Sequence, residues 1–239
     1  MVLIAVVSVV VWLLVNPASY EQIFTKVENT GAEAGIQNAD SSKKAEYDKN
    51  DNKLAINVLE LIEVKGRAPK TGYDREEFYN TWPSVDGCSL RQRVIRREFG
   101  ETAVLDGCTV VAGEFDEPYT GEHKKFSTRE EISRGIQIDH VVALSDAWQK
   151  GAQYMEKTVR YAMATDPLNL LAVDAAANQK KSDGDAATWL PSNKKFRCQY
   201  VARQVSVKYK YGLWVTEAEK TAIHDILVNC PNERVIIEI

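Results

Sequence analysis

Apolar and polar positions divide the chain into three stretches. Residues Val2 to Val15 form an apolar run broken only by Ser8. That run is short for a membrane span and fits a secretory hydrophobic region, or an uncleaved anchor, with Ala18 and Ser19 as small residues after it. From Tyr20 to about Lys53 the chain is polar and lacks apolar periodicity, as a flexible linker would. From Leu54 onward, periodic segments alternate with turn chemistry. The organisation expected is therefore a leader or anchor over 1–19, a linker over 20–53 and a folded domain over 54–239.

Within the domain, Leu54, Val58, Leu59 and Ile62 make a short helical stripe, and Lys65 to Tyr73 is broken by Gly and Pro into loop. Leu90 to about Glu98 reads as a helix, although a strand also fits. Residues 101–120 read as short strands. Gly135 to Val142 reads as a strand reaching His140, and Ala143–Lys150 and Glu156–Ala164 as helices. Leu168 to Val173 is a strand entered through Asp166–Pro167, with Asn169 on it. Asp174 caps a helix over Ala175–Lys181, and Asp183 and Asp185 stand as caps before a helix over Ala186–Leu190. Thr216 and Glu219 form a capping box for a helix to about Val228. Mixed local strands and helices of this kind give an α+β class.

Composition supports a folded domain: of 239 residues, 44% are hydrophobic and 27% charged. The net charge of −4 does not announce a nucleic-acid binder, but its distribution is uneven. Between Ala186 and Thr216 there is no Asp or Glu, while Lys194, Lys195, Arg197, Arg203, Lys208 and Lys210 all fall there. Arg91, Arg93, Arg96 and Arg97 are opposed locally only by Glu98. Such faces can follow phosphates, or be ordinary solvated helix surface. Four cysteines, Cys88, Cys108, Cys198 and Cys230, have no CxxC spacing. In an exported chain they imply two disulfides with three pairings open. Pairing of sequence neighbours, Cys88 with Cys108 and Cys198 with Cys230, is favoured over the others, and zinc binding is the rival.

The chemistry centres on one of three histidines. His123, in a Gly/Lys-rich loop, and His224, on the last helix, read as surface residues. His140 instead ends an apolar strand and follows Asp139. Downstream come Asn169, then Asn178 and Lys181 on a helix. A strand with Asp-His, a second strand with Asn, and a helix with Asn and Lys resembles the ββα-metal finger of HNH endonucleases. The segments IDHVVALSDAW (138–148), DPLNLLAVDAAANQKKSDGDAATWLP (166–191) and RCQYVARQVSVKYKYGLWV (197–215) resemble secreted bacterial HNH proteins related to the C-terminal nuclease domain of GmrSD-type restriction enzymes. So do VKGRAPKTGYDREEF (64–78) and CSLRQRVIRRE (88–98).

This resemblance implies an α+β ββα-metal core with added helices and short strands, and hydrolysis of phosphodiester bonds in DNA more than RNA, with little sequence specificity. His140 would be the general base. Asp139 and Asn178 would supply oxygen ligands to a single divalent cation, Mg²⁺ foremost and Mn²⁺ as a substitute. Asn169, counted with the catalytic set, would brace the loop at His140. Lys181 would hold a phosphate oxygen or stand exposed on its helix. Arg91, Arg97 and Lys180 are the candidate nucleic-acid contacts, with ion pairing to Glu98 the other reading of the arginines and Arg75 a weaker candidate. Ala143 departs from the proline common in HNH relatives, so a looser turn is expected after His140. The domain is expected to act as a monomer outside the cytoplasm, touching a membrane only through an uncleaved N-terminal segment. A catalytically silent nucleic-acid-binding module on the same scaffold is the alternative. A different hydrolase would need paired carboxylates or a nucleophile motif, and neither GxSxG nor HExxH occurs.

Overall fold

The computed structural model describes residues 53–236. The apolar run at Val2–Val15 and the linker as far as residue 52 lie outside the described residues. Among the described residues, no helix is long and apolar enough to cross a membrane.

The fold is mixed α+β, arranged around one central hairpin. Strand β6 (Ile136–His140) pairs antiparallel with β7 (Leu170–Asp174), with Ile138 opposite Ala172 and His140 opposite Leu170. Alternation along the strands directs Leu171 and Val173 to one side, into a core with Val201 and Val205. Leu170, Ala172, Ile136 and Ile138 go to the other side, into a second core with Val94, Ile95 and Phe115. The strand pair is thus covered on both faces, which explains the continuous apolar run Leu170–Val173 of β7.

The first face is covered by α1 (Ala55–Leu61), α7 (Arg197–Lys210) and α8 (Glu217–Leu227). The second is covered by α2 (Leu90–Phe99) and by a sheet of β3 (Val104–Asp106), β4 (Thr109–Asp116) and β5 (His123–Phe126) in the order β3-β4-β5. Gly113, at φ 149°, lets β4 lie directly on α2, since a Cβ there would come within 2.5 Å of the Phe99 ring. A small ladder of β1 (Ser84–Val85) and β2 (Cys88–Ser89) leads into α2. Helix α3 (Arg129–Gly135), capped by Thr128, delivers the chain to β6. Between the central strands lie α4 (Leu144–Gln149) and α5 (Lys157–Thr165), around a third core with Phe78, Trp148 and Met163. Helix α6 (Ala175–Lys181) follows β7 directly, with the Asp174 carboxylate accepting from the Ala177 amide at 2.8 Å.

Most expected elements stand where the pattern put them, and four details differ. Asn169 is not on the strand: Asp166 caps a 3-10 turn, Pro167–Asn169, and the strand starts one residue later. Residues 186–190 form a turn rather than a helix. His123 opens strand β5 instead of lying in a loop, though it stays exposed. The longest described helix, α7, had no sequence expectation, because its three valines (201, 205 and 207) weaken a helical reading that tertiary packing then overrides.

Both disulfides join sequence neighbours, Cys88 to Cys108 and Cys198 to Cys230. The first ties β2 to the β3–β4 turn, and the second ties the start of α7 to the segment after α8. They close loops with sequence separations of 20 and 32 residues, worth about 3 to 4 kcal/mol each in the chain-entropy account. Full reduction in dithiothreitol is therefore expected to lower the melting temperature by more than about 10 °C. An unchanged thermal transition after complete thiol release would contradict this.

Candidate active site

Strand parity decides the environment of each reacting group. Asp139 and His140 are adjacent on β6, so their side chains leave opposite faces of the hairpin. Because they occupy the strand's end, both still border one open cavity of about 340 Å³. Asn178 of α6 borders it as well, as do Lys70 and Tyr73 from the loop before β1, Arg75 from the 3-10 turn Arg75–Glu77, and Ser145 and Asp183 from α4 and the turn after α6.

The His140 ring is 6% exposed and stacks on Trp82, with centroids 6.0 Å apart and planes 6° apart. Its Nε2 lies 3.0 Å from the Ala164 carbonyl oxygen. A carbonyl only accepts, so Nε2 carries the proton and Nδ1 keeps its lone pair. Burial, together with repulsion from Arg75 and Lys181, takes the imidazole down to about 3, against the smaller opposing effect of the Ala164 bond. The ring is thus neutral at any ordinary pH.

Asp139 is held from two directions. Its Oδ1 accepts from the Lys181 ammonium at 2.8 Å, and its Oδ2 accepts a short hydrogen bond from the Tyr119 hydroxyl. Burial raises its carboxyl above the usual carboxylate range, and Lys181 and Tyr119 offset only part of that. Lys181, three residues after Asn178 and so on the same helix face, also donates to the His140 carbonyl oxygen at 2.9 Å. Lys181 is therefore not an exposed helix lysine: it is 2% exposed, and its ammonium is bound to both members of the Asp-His pair. On the same face of β6 as Asp139, Gln137 accepts from the Asn178 amide nitrogen at 2.9 Å, which leaves Asn178 Oδ1 as the acceptor.

Asn169 is fully buried and lines no part of the cavity. Its Oδ1 accepts from the Val142 amide at 2.8 Å, and its Nδ2 donates to the Val142 and Met163 carbonyls. It closes the turn that follows His140, so that turn is pinned despite the alanine at 143.

The basic residues singled out as nucleic-acid contacts are largely turned inward. Arg91 donates to the Ile136 carbonyl. Arg97 pairs with Glu98 and donates to the Pro167 and Leu170 carbonyls, which is the ion-pair reading rather than the phosphate one. Arg203 and Lys210 likewise bond to the Pro167–Leu168 backbone and to Asp166. Lys180 remains exposed, beside a smaller cavity lined by Tyr119 and Trp189.

A buried ionic cluster outside the cavity lining had no sequence signal. Lys150 Nζ lies 2.7 Å from each of Asp146, Asp185 and Glu219, and Lys208 pairs with Asp146 and Glu219 at 3.3 and 3.0 Å. Arg67 adds contacts to Asp146 and Asp185 at 2.9 and 2.7 Å, so three cations meet three carboxylates. Burial pushes Asp146 and Asp185 up, but the neighbouring cations outweigh it and hold both below the usual range. Glu219 therefore fills only half of the expected capping box: its amide donates to the Thr216 hydroxyl, while its carboxylate serves the lysines.

Over residues 91–226 the sequence matches the family described as GmrSD restriction endonucleases, C-terminal domain. The chain belongs to that family. A relative from the fungus Arthroderma benhamiae (strain ATCC MYA-4681 / CBS 112371), named an uncharacterized secreted protein, is 33% identical over 179 residues, covering 74% of this chain and 84% of the relative. No solved structure matches. The span matched to the GmrSD C-terminal domain contains Asp139, His140, Asn169, Asn178 and Lys181, whereas the cavity's cationic wall of Lys70 and Arg75 lies before it. Among the described residues, no group of three or more His, Cys, Asp or Glu side chains is placed to hold a metal ion. Any cation at the cavity would rely on few protein ligands.

Proposed function

We propose that this GmrSD-family chain is a metal-dependent endonuclease, hydrolysing phosphodiester bonds in nucleic acid, DNA foremost, with little sequence specificity. In this reading β6, β7 and α6 are an HNH-type ββα-metal unit. The observation that carries it is His140: a buried, neutral imidazole whose Nε2 proton is fixed by the Ala164 carbonyl, with Nδ1 as its basic atom. His140 Nδ1 takes the proton of the attacking water as that oxygen bonds to phosphorus and the bond to the leaving oxygen breaks. Arg75 and Lys70, which border the same cavity, supply positive charge to the phosphate. Lys181 keeps Asp139 and the His140 backbone in one arrangement.

The donors present suit a hard cation with few protein ligands. Each Asp139 oxygen has a second lone pair beyond those used by Lys181 and Tyr119, and Asn178 adds a carbonyl oxygen. Two protein oxygens beside an open cavity match Mg²⁺, which keeps several waters, with Mn²⁺ as a substitute. When bound, the cation supplies charge neutralisation at the phosphate and leaving oxygen. The two disulfides and the relative's name support a site of action outside the cytoplasm.

One observation favours a second reading: Asp139 is already bonded on both oxygens, as it would be in a silent binding module. Cleavage separates the two. Purified protein with Mg²⁺ is expected to convert supercoiled plasmid to nicked and linear forms, and EDTA to abolish this. No cleavage of DNA or RNA with Mg²⁺, Mn²⁺ or Ca²⁺ would leave the binding module as the correct reading.

A further inference from the structure

We propose that Tyr154, backed by Trp214 and Lys65, is a docking platform for an unpaired nucleic-acid strand that runs along loop 65–75 into the cavity. This rests on the nuclease reading and adds the strand state of the substrate. Tyr154 is 71% exposed, more than any other large hydrophobic side chain among the described residues. It is nonetheless held in place: its ring stacks on Trp214 with centroids 6.2 Å apart and planes 27° apart. Gly151, at φ 122°, admits the Trp214 ring, which a Cβ would meet at 3.3 Å. Lys65 Nζ lies 5.3 Å from the Trp214 ring centroid. An aromatic face open to water, backed by a second ring that itself carries a cation, is what a splayed base stacks on. A duplex interior offers no such base face.

The platform is joined to the cavity by one continuous segment. Trp214 Nε1 donates to the Gly66 carbonyl at 3.1 Å, and Gln153, next to Tyr154, donates to the Pro69 carbonyl at 3.3 Å. The next residue, Lys70, borders the cavity with His140. Gly66 to Lys70 spans at most about 14 Å, or about four stacked nucleotides. The segment from Glu63 to Arg75 carries Lys65, Lys70 and Arg75 against Glu63 and Asp74, its fourth cation, Arg67, being committed to Asp146 and Asp185. Glu63 pairs with Lys65 and Asp183 with Lys70, both in exposed pairs that a phosphate can replace.

The test uses His140→Ala protein, expected to cleave too slowly to consume substrate during the measurement, and a fluorescein-labelled 12-mer read by anisotropy as single strand and as duplex, in DNA and RNA arms. The single strand is expected to bind more tightly than the duplex. Adding Tyr154→Ala should weaken single-strand binding about tenfold while shrinking the preference over duplex, and Tyr154→Phe should restore it. Equal effects of Tyr154→Ala on both forms, no effect on either, or no rescue by phenylalanine would overturn the platform. If wild-type protein still cleaves in those cases, only the platform fails. If wild-type protein neither binds nor cleaves any nucleic acid, the nuclease reading fails with it.

Discussion

His140→Ala is expected to reduce phosphodiester cleavage by about a hundredfold to ten-thousandfold, the usual contribution of a positioned proton acceptor, with folding retained by near-ultraviolet circular dichroism. The ring's environment adds a sharper expectation about pH. Only the neutral imidazole can accept a proton, and His140 is lowered to about 3, so its protonation does not limit the free protein near pH 6.5. Asp139 shifts the other way: burial raises it, so it protonates above the usual carboxylate range and stops serving as a ligand. In the proposed reaction the acid limb of kcat/KM therefore reports Asp139. Cation and proton compete for that carboxylate, so raising Mg²⁺ should move the limb to lower pH. A limb fixed near pH 6.5 at every Mg²⁺ concentration would assign it to an ordinary histidine and contradict the geometry. So would a His140→Ala protein of undiminished activity.

Lys150→Met is expected to destabilise the fold by about 3 to 5 kcal/mol in urea unfolding at pH 7, a large share of the total for a domain of this size. Lys150 is fully buried and answers three carboxylates at 2.7 Å. Removing it leaves Asp146, Asp185 and Glu219 with only Lys208 and Arg67, an uncompensated charge out of reach of water. The size of the loss comes from that leftover charge more than from the broken contacts. Adding Glu219→Gln should then recover stability, because two cations would again face two carboxylates. A double variant no more stable than Lys150→Met would show that charge balance is not what the cluster needs.

The elements that position the Asp-His pair were legible because their signals are local. An apolar strand ending in Asp-His marked β6, a compact apolar run after Asp166–Pro167 marked β7, Asp174 marked the start of α6, and the spacing of Asn178 and Lys181 put both on one helix face. Whatever depends on distant partners was not legible. Tyr119 lies twenty residues before Asp139 with no motif around it, yet its hydroxyl is bonded to that carboxylate. Trp82 gives no hint that it stacks on His140. The arginines misled for a related reason. A run such as Arg91 to Arg97 looks the same in sequence whether its donors meet phosphates or backbone carbonyls, and here two of the four meet the carbonyls of β6, β7 and the turn before it. Lys150, Lys208 and Glu219 carry charges that sequence alone sends to the surface, and only their mutual neutralisation allows burial.

The placement of Asp139 and His140 on opposite faces of one strand makes their order matter. Exchanging the two residues would turn the carboxylate toward Trp82 and the ring toward Tyr119 and Lys181, and lengthening β6 by a single residue would do the same. The five residues of β6 therefore behave as a reading frame in which insertions are not tolerated.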